Sequence, residues 1–330
     1  PAAGPGRRWR FPPTRRADGL VALGAGTAAV TPGLLDTFDA SARAIASRVV
    51  DEQHRRVLIP CQPADPAKAD DACARRFLGA VGKLLFRRPL TAEEIDTHAR
   101  AARDASTSLH DFYAGLGSAL SGILVAPQFL YFIERTEPDP GAPGHQRLDG
   151  YSRAMRLSLL YWNAPPDGEL LRAAEAGELF ARDGVARQIR RLTASRRFED
   201  GVRAFFRDWM IMEDFDLLAK DPVIYPAYSL KTAMDAREQT LRIIVDQLVT
   251  KNGDYRDLFT TRSIFLTQGL GAIYRVPVRA AGATDWAPYQ LADDDPRAGL
   301  LTQVGFLSVN AHAGRTSPTR RGKALREIFM

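Results

Sequence analysis

Residues 229–251 read SLKTAMDAREQTLRIIVDQLVTK, and this stretch decides the fold class. Its apolar residues recur at three- and four-residue spacing, which is the repeat of one face of an α-helix. They are Leu230, Met234, Leu241, Ile244, Val245 and Leu248. Ser229 is placed as an N-cap, and Asn252-Gly253 is a stop signal. The stretch is therefore predicted to form one long amphipathic helix.

Similar helix signals recur along the chain. Thr31-Pro32 and Ser317-Pro318 each place a hydroxyl N-cap before a proline, and Thr91-Ala92-Glu93-Glu94 is a capping box. The segment 110–125 is rich in small residues, which allows helices to pack closely. No stretch shows convincing strand alternation. We expect an all-α fold with about ten helices in two packed helical groups, long irregular loops and no substantial sheet.

Two Pro- and Gly-containing segments are predicted to be loops. Residues 136–147 give the best internal boundary, so the two helical groups are expected to meet near 136–150. Residues 276–298 contain three prolines and the acidic triple Asp293-Asp294-Asp295, and they are expected to form a long irregular loop. The triple lacks the spacing of a calcium loop, so solvated acids are favoured over calcium ligands.

Length and composition narrow the class of protein. The chain has 330 residues, is 45% apolar and 25% charged, and so resembles ordinary globular proteins. No apolar run is long enough to span a membrane. The net charge is +6, but residues 1–16 hold five arginines and 315–330 hold five cations and one acid. Residues 17–314 therefore sum to −3, which argues against nucleic acid as the partner.

The common catalytic and metal motifs are missing from the sequence. There is no P-loop, no dinucleotide fingerprint, no nucleophile elbow and no C-x-x-C-H haem motif. The five histidines are not spaced as metal ligands, so no metal site is expected. The chain starts at Pro1 and ends within an expected helix, so we expect a fragment of a longer protein.

The segment 312–323 is the best candidate for a binding site. His312, a glycine turn and Arg315 precede Ser317-Pro318, a capped helix start where N–H groups and the dipole favour an anion. The candidate anion-binding or substrate-binding residues are His312, Arg315, Ser317, Arg320 and Arg321. Arg315 would grip a carboxylate or phosphate and His312 would donate or carry a proton. The alternative is that Arg315 pairs with an acid and His312 is an ordinary loop residue.

Cys61 and Cys73 lie twelve positions apart in a polar stretch. A disulfide between them would stabilise the fold by about 3 kcal/mol. Two free thiols explain the same spacing equally well, and metal binding is disfavoured because His54 is the only soft ligand nearby.

Five stretches carry a family resemblance: 85–94 with the preceding cysteine pair, 126–131, 162–171, 297–303 and 312–322. Through them nearly the whole chain resembles an exported family of planctomycetes and myxobacteria. Its members are stacked domains of unknown function, the modules numbered fifteen-eighty-seven, fifteen-ninety-five, fifteen-ninety-two and fifteen-eighty-eight. The resemblance implies a module tail at 1–60, a Cys-pair helical module at 61–135 and a central helical module at 136–275. A loop with a basic helix, at 276–330, would begin a truncated module.

The resemblance also implies a setting. Members are exported, to the periplasm or the cell surface, and are often linked to c-type cytochromes. In that setting Cys61–Cys73 is expected to be a disulfide. No cofactor is expected in this chain, and haem would belong to a module outside it or to a partner. The expected function is partner docking or scaffolding in a redox protein. The alternative is a hydrolytic or oxidative enzyme acting on a polymer or glycan near His312 and Arg315.

Overall fold

The computed structural model describes residues 16–21, 30–282 and 284–330, and most of them are helical. Their contacts divide them into two compact units. Unit 1 holds residues 30–160 and 164–194, and unit 2 holds the remaining described residues. The all-α expectation is confirmed, since the strands form only two small two-stranded sheets. The module boundaries expected near 60, 135 and 275 stay a prediction.

Unit 1 is a stack of helices with one short hairpin. Its helices are α1 (Pro32–Val50), α2 (Arg55–Leu58), α3 (Asp71–Leu85), α4 (Ala92–Leu109), α5 (Phe112–Val125), α6 (Pro127–Leu130), α7 (Gly150–Trp162), α8 (Gly168–Glu175) and α9 (Arg182–Ala194). The last residues of α7 are grouped with unit 2. Strands β1 (Thr136–Pro138) and β2 (Gln146–Leu148) pair antiparallel inside the segment expected to be a loop.

Local cap chemistry sets where these helices begin. Thr91 accepts a hydrogen bond from the Glu94 N–H, and the Glu94 carboxylate accepts one from the Thr91 N–H, which completes the predicted capping box. Asp70 and Asp167 accept from backbone N–H groups at the starts of α3 and α8. Each such cap contributes about 1 kcal/mol to helix stability.

The core of unit 1 lies where α5 packs against α4 and α1. Leu116, Leu120 and Ile123 of α5 are fully buried. Gly115 allows the close approach of α4, because a Cβ atom there would lie 2.0 Å from the Ser106 Oγ atom. The close packing expected from the small residues of 110–125 is therefore present.

Unit 2 is helical with a second small sheet. Its helices are α10 (Arg197–Trp209), α11 (Leu230–Val245), α12 (Gln268–Tyr274), α13 (Val304–Val309) and α14 (Pro318–Phe329). Its strands are β3 (Ser263–Leu266) and β4 (Ala287–Gln290), which pair antiparallel. Short 3₁₀ turns lie at Met212–Leu217, Tyr255–Phe259 and Leu300–Thr302, and a π turn at Asp246–Thr250 extends α11.

Helix α11 is the centre of unit 2. Leu241, Ile244 and Val245 are buried, as their spacing predicted, and Ile243 is buried as well. Leu230, predicted to lie on the same face, is 64% exposed because it is the first residue of the helix. Gln239, also buried on α11, accepts a hydrogen bond from the Tyr274 hydroxyl at 3.0 Å. Burial raises the pKa of Tyr274 to about 12, so this phenol stays protonated and donates.

The loop expected at 276–298 is more ordered than the sequence suggested. Its residues 287–290 form strand β4 against β3. Arg262 supports residues 292–297, because its Nη1 atom donates to the carbonyl oxygens of Ala292, Asp295 and Arg297 at 2.9, 2.6 and 3.2 Å. These side-chain contacts satisfy carbonyl groups that no regular ladder pairs.

Candidate functional site

The turn that carries His312 and Arg315 is tied to the segment 218–228. The His312 N–H donates to the Arg315 carbonyl at 3.0 Å, which closes the turn. Lys220 Nζ donates to the His312 carbonyl at 2.9 Å, and the Asp221 N–H donates to the Ala313 carbonyl at 3.1 Å. The backbone of this turn is thus fixed, while the His312 ring and the Arg315 guanidinium are exposed.

The other three candidate residues lie at the start of α14. The buried Ser317 Oγ accepts from the Arg320 N–H at 3.3 Å and so acts as the N-cap. Arg320 Nη1 donates to the Ala311 carbonyl at 3.0 Å, and Arg321 Nη1 donates to the Thr316 hydroxyl at 2.5 Å. In the described part of the chain, neither Arg315 nor His312 has a side-chain partner, so the alternative in which Arg315 pairs with an acid is not observed there.

Two cavities flank this segment, and Arg320 lines one of them while Arg321 lines the other. The smaller, the Asp214 cavity, has a volume of about 230 Å³. Its polar lining residues are Asp214, Thr240, Asn310, Arg320, Lys323 and Glu327. Partial burial raises the pKa of the Asp214 carboxyl; the charge of Glu213 adds to this rise, and Arg16 and Arg320 oppose it. This cavity therefore holds a carboxyl of altered acidity beside two cations.

The larger cavity, the Tyr225 cavity, has a volume of about 490 Å³. Helix α11 supplies Thr232, Ala233 and Ala236 to its lining, and α12 supplies Ala272 and Ile273. The segment 218–228 and helix α13 complete the apolar wall. Its charged lining residues are Lys220, Arg275 and Arg321.

Sequence reasoning missed most of this larger cavity. Lys220 and Arg275 stand far from 312–321 in the sequence, and nothing in their local patterns marks them. The one available signal was the apolar run Val223-Ile224-Tyr225, which lies between two prolines rather than in a helix pattern. His312 and Arg315 line neither cavity.

The structure also places the cysteine pair and the acidic triple. Cys61 and Cys73 form a disulfide with a Cα–Cα distance of 5.6 Å, as the exported setting implied. Asp295 of the acidic triple forms an ion pair with Arg297 at 2.6 Å, and Arg297 lowers the pKa of Asp295 to about 2. Among the described residues, no group of three or more His, Cys, Asp or Glu side chains is placed to hold a metal ion.

Two protein families match parts of the chain. Residues 73–134 match PSD5, a protein of unknown function (DUF1595), and residues 148–276 match PSD4, a protein of unknown function (DUF1592). Two parts of the chain are therefore similar to domains of unknown function. The DUF1595 match includes Cys73 and helices α4 and α5, and the DUF1592 match includes α11 and the segment 218–228. The candidate residues 312–321 follow the end of the DUF1592 match.

The other two comparisons found no similar protein. No curated protein and no solved structure matches the chain. Among the residues that the structure describes, no helix combines the length and the apolar content needed to cross a bilayer.

Proposed function

We propose that this chain is an accessory, partner-docking helical module of an exported, cytochrome-linked redox protein. The setting comes from the family resemblance. The disulfide is compatible with it, because disulfides persist mainly in oxidising compartments. The partner would be a c-type cytochrome or a neighbouring module that carries haem.

One observation carries the docking proposal. In the described parts of the chain, Arg315, Arg320, Arg321 and Arg326 form no ion pair, whereas half of the other arginines of unit 2 do. Three of these four side chains are exposed, and Arg321 is half-buried. A group of unpaired cations attracts an acidic surface and speeds association more than it tightens the complex.

The test is binding of the full chain to its cognate c-type cytochrome, measured by calorimetry at low and moderate salt. The perturbation is the double variant Arg315→Gln with Arg326→Gln, which removes two exposed charges that line neither cavity. The matched control is Arg76→Gln with Arg182→Gln, two exposed arginines of unit 1. We expect the first pair to weaken binding about tenfold and the control to leave it unchanged.

Two outcomes would reject docking by this cationic group. One is no binding and no change in the haem spectrum at any salt concentration. The other is an equal loss of affinity in the two double variants, since a general charge effect does not distinguish the two sites.

A second candidate function is a hydrolytic or oxidative enzyme acting on a polymer or glycan. The Asp214 cavity favours it, because a carboxyl with a raised pKa next to a cation suits proton transfer. On this hypothesis Asp214→Asn abolishes an activity found by substrate screening without lowering the melting temperature. If the site lies instead near His312 and Arg315, His312→Ala and Arg315→Ala abolish the activity and Asp214→Asn does not. If all three variants lose the melting transition, the residues are structural and the enzyme hypothesis fails.

A further inference from the structure

The Tyr225 cavity has a mainly apolar lining with three cations, Lys220, Arg275 and Arg321, which we call its rim. Its floor is made of small and aliphatic side chains of α11, α12 and α13, which include Ala236, Ile273, Val304 and Leu307. Tyr225 and Tyr228 face the same space from the segment 218–228. Such a lining, with a few polar groups around it, is typical of pockets that bind small organic molecules.

The charged residues of the lining are all of one sign. Lys220, Arg275 and Arg321 line the cavity, and no Asp or Glu does. Within the described chain none of the three forms an ion pair. The pKa of the Lys220 ammonium is lowered, first by burial and then by the neighbouring charge of Arg320. An anion placed beside Lys220 would therefore favour the charged form of its ammonium.

Each of these cations keeps donors available. A lysine ammonium has three donors, and Lys220 uses two of its own on the carbonyls of Ala311 and His312. An arginine has five, and Arg321 uses one on the Thr316 hydroxyl. The Arg275 guanidinium has no hydrogen-bond partner among the described residues. The rim can therefore bind a carboxylate without breaking an existing contact.

We propose that the Tyr225 cavity is a binding site for an organic monocarboxylate, with the carboxylate at Lys220, Arg275 and Arg321 and an apolar body between α11, α12 and α13. The opposite charges of the rim and the carboxylate identify this occupant, because a neutral molecule would leave the three cations unpaired. The planar fork of arginine suits a carboxylate in particular.

The size of the cavity sets the size of the ligand. A cavity of about 150 Å³ holds one benzene ring. The Tyr225 cavity is about 490 Å³, roughly three times that volume. It therefore has room for a ligand whose apolar body is two fused rings, or an alkyl chain of about eight carbons, together with the carboxylate. Acetate, which has no such body, would gain almost nothing from the apolar walls.

The segment 218–228 forms the mouth. Val223, Ile224 and Tyr225 are 88%, 52% and 38% exposed, which is high for side chains of this type. The segment is held at its base by the Lys220 and Asp221 contacts with residues 311–313. Ile224 and Tyr225 line the cavity, so an apolar ligand bound there would cover part of their exposed surface.

The test is calorimetric titration of the full chain with octanoate and with 1-naphthoate. Each is compared with its neutral alcohol, octan-1-ol or 1-naphthylmethanol, and acetate serves as the anion without a body. We expect at least one of the two carboxylates to bind, at least tenfold more tightly than its alcohol. The better of the two shows whether the body is a chain or a ring system.

Variants locate the site. Lys220→Gln and Arg275→Gln should each weaken binding of the better carboxylate at least fivefold. Arg279→Gln, an exposed arginine four residues after Arg275, should leave it unchanged. Ala272→Leu narrows the cavity and should weaken binding of both carboxylates. Ser308→Ala removes only a hydroxyl from the lining and serves as its control.

The proposal is overturned if neither carboxylate binds, if an alcohol binds as tightly as its acid, or if Arg279→Gln weakens binding as much as Arg275→Gln does. These outcomes are distinguishable from those of the docking test, because the docking variants change Arg315 and Arg326, which lie outside this cavity, and neither test changes the shared Arg321. If Ala272→Leu fails to fold, the Lys220 and Arg275 variants still decide the question.

Discussion

Reduction of the Cys61–Cys73 disulfide should destabilise unit 1 by an amount that follows from the chain it encloses. Twelve positions separate the two cysteines. Closing a loop of this length removes conformational freedom from the unfolded chain, which is worth about 3 kcal/mol. Unfolding in urea, with and without a phosphine reductant, measures the difference directly. We expect the free energy of unfolding to fall by about 3 kcal/mol on reduction.

Reduction is a cleaner perturbation than substitution at this site. Cys73 is buried at the start of α3, so Cys73→Ser would add the cost of burying a hydroxyl. Hydrogen exchange gives a second, local measurement at the buried residues Leu116, Leu120 and Ile123 of α5. A loss of about 3 kcal/mol corresponds to roughly 150-fold faster exchange at amides that open only by unfolding.

The control for the disulfide is the double variant Cys61→Ser with Cys73→Ser, on which the reductant should have no effect. The loop-entropy reasoning is refuted if reduction changes the free energy of unfolding of the natural protein by less than about 1 kcal/mol. It is refuted equally if the reductant destabilises the double variant as much as the natural protein.

Two further predictions concern Gly299 and Glu94. Gly299 has φ +64°, and a Cβ atom there would lie 2.1 Å from the Phe259 carbonyl oxygen, so Gly299→Ala should cost about 3 kcal/mol or more in urea unfolding. Gly33→Ala, in open space on α1, is its control, and equal effects of the two would contradict the steric argument. The hydrogen bonds from Arg88 lower the pKa of Glu94 from 4.5 to about 2, so the stability that this pair adds is complete above pH 4.5 and is lost as the pH falls through 2. The free energy of unfolding of the natural protein should exceed that of Glu94→Gln by about 1–2 kcal/mol at pH 6, after allowance for solvent screening. This difference should vanish near pH 2. A difference that does not change with pH would show that the ionised pair is not its cause.

The helix starts were predictable because their determinants are local. Ser229, Thr91 and Thr31 each accept from a backbone N–H three residues later, so a short window of sequence contains both partners. Strand β4 was not predictable in this way. Its partner β3 lies more than twenty residues earlier, Pro288 interrupts any strand pattern, and the Arg262 contacts that support the segment depend on the tertiary fold.

The candidate site was likewise predictable only where its determinants are local in the sequence. The cap and turn at 312–321 were visible in the sequence, but the cavities beside them combine α11, α12, α13 and the segment 218–228. Arg320 and Arg321 were grouped as neighbours, yet consecutive helical residues point about 100° apart. They therefore line different cavities, and the anion site expected at 312–321 stays a prediction.

Lys220 offers a site for selective chemical labelling. The sequence has six lysines against 39 arginines, so reagents that acylate amines meet few sites. Because the pKa of Lys220 is lowered, a larger share of its side chain is the neutral, nucleophilic amine at pH 7 than in an ordinary lysine. A fluorophore ester used sparingly near neutral pH should label Lys220 early. The fluorescence of the label would then report the binding and release of a ligand in the Tyr225 cavity.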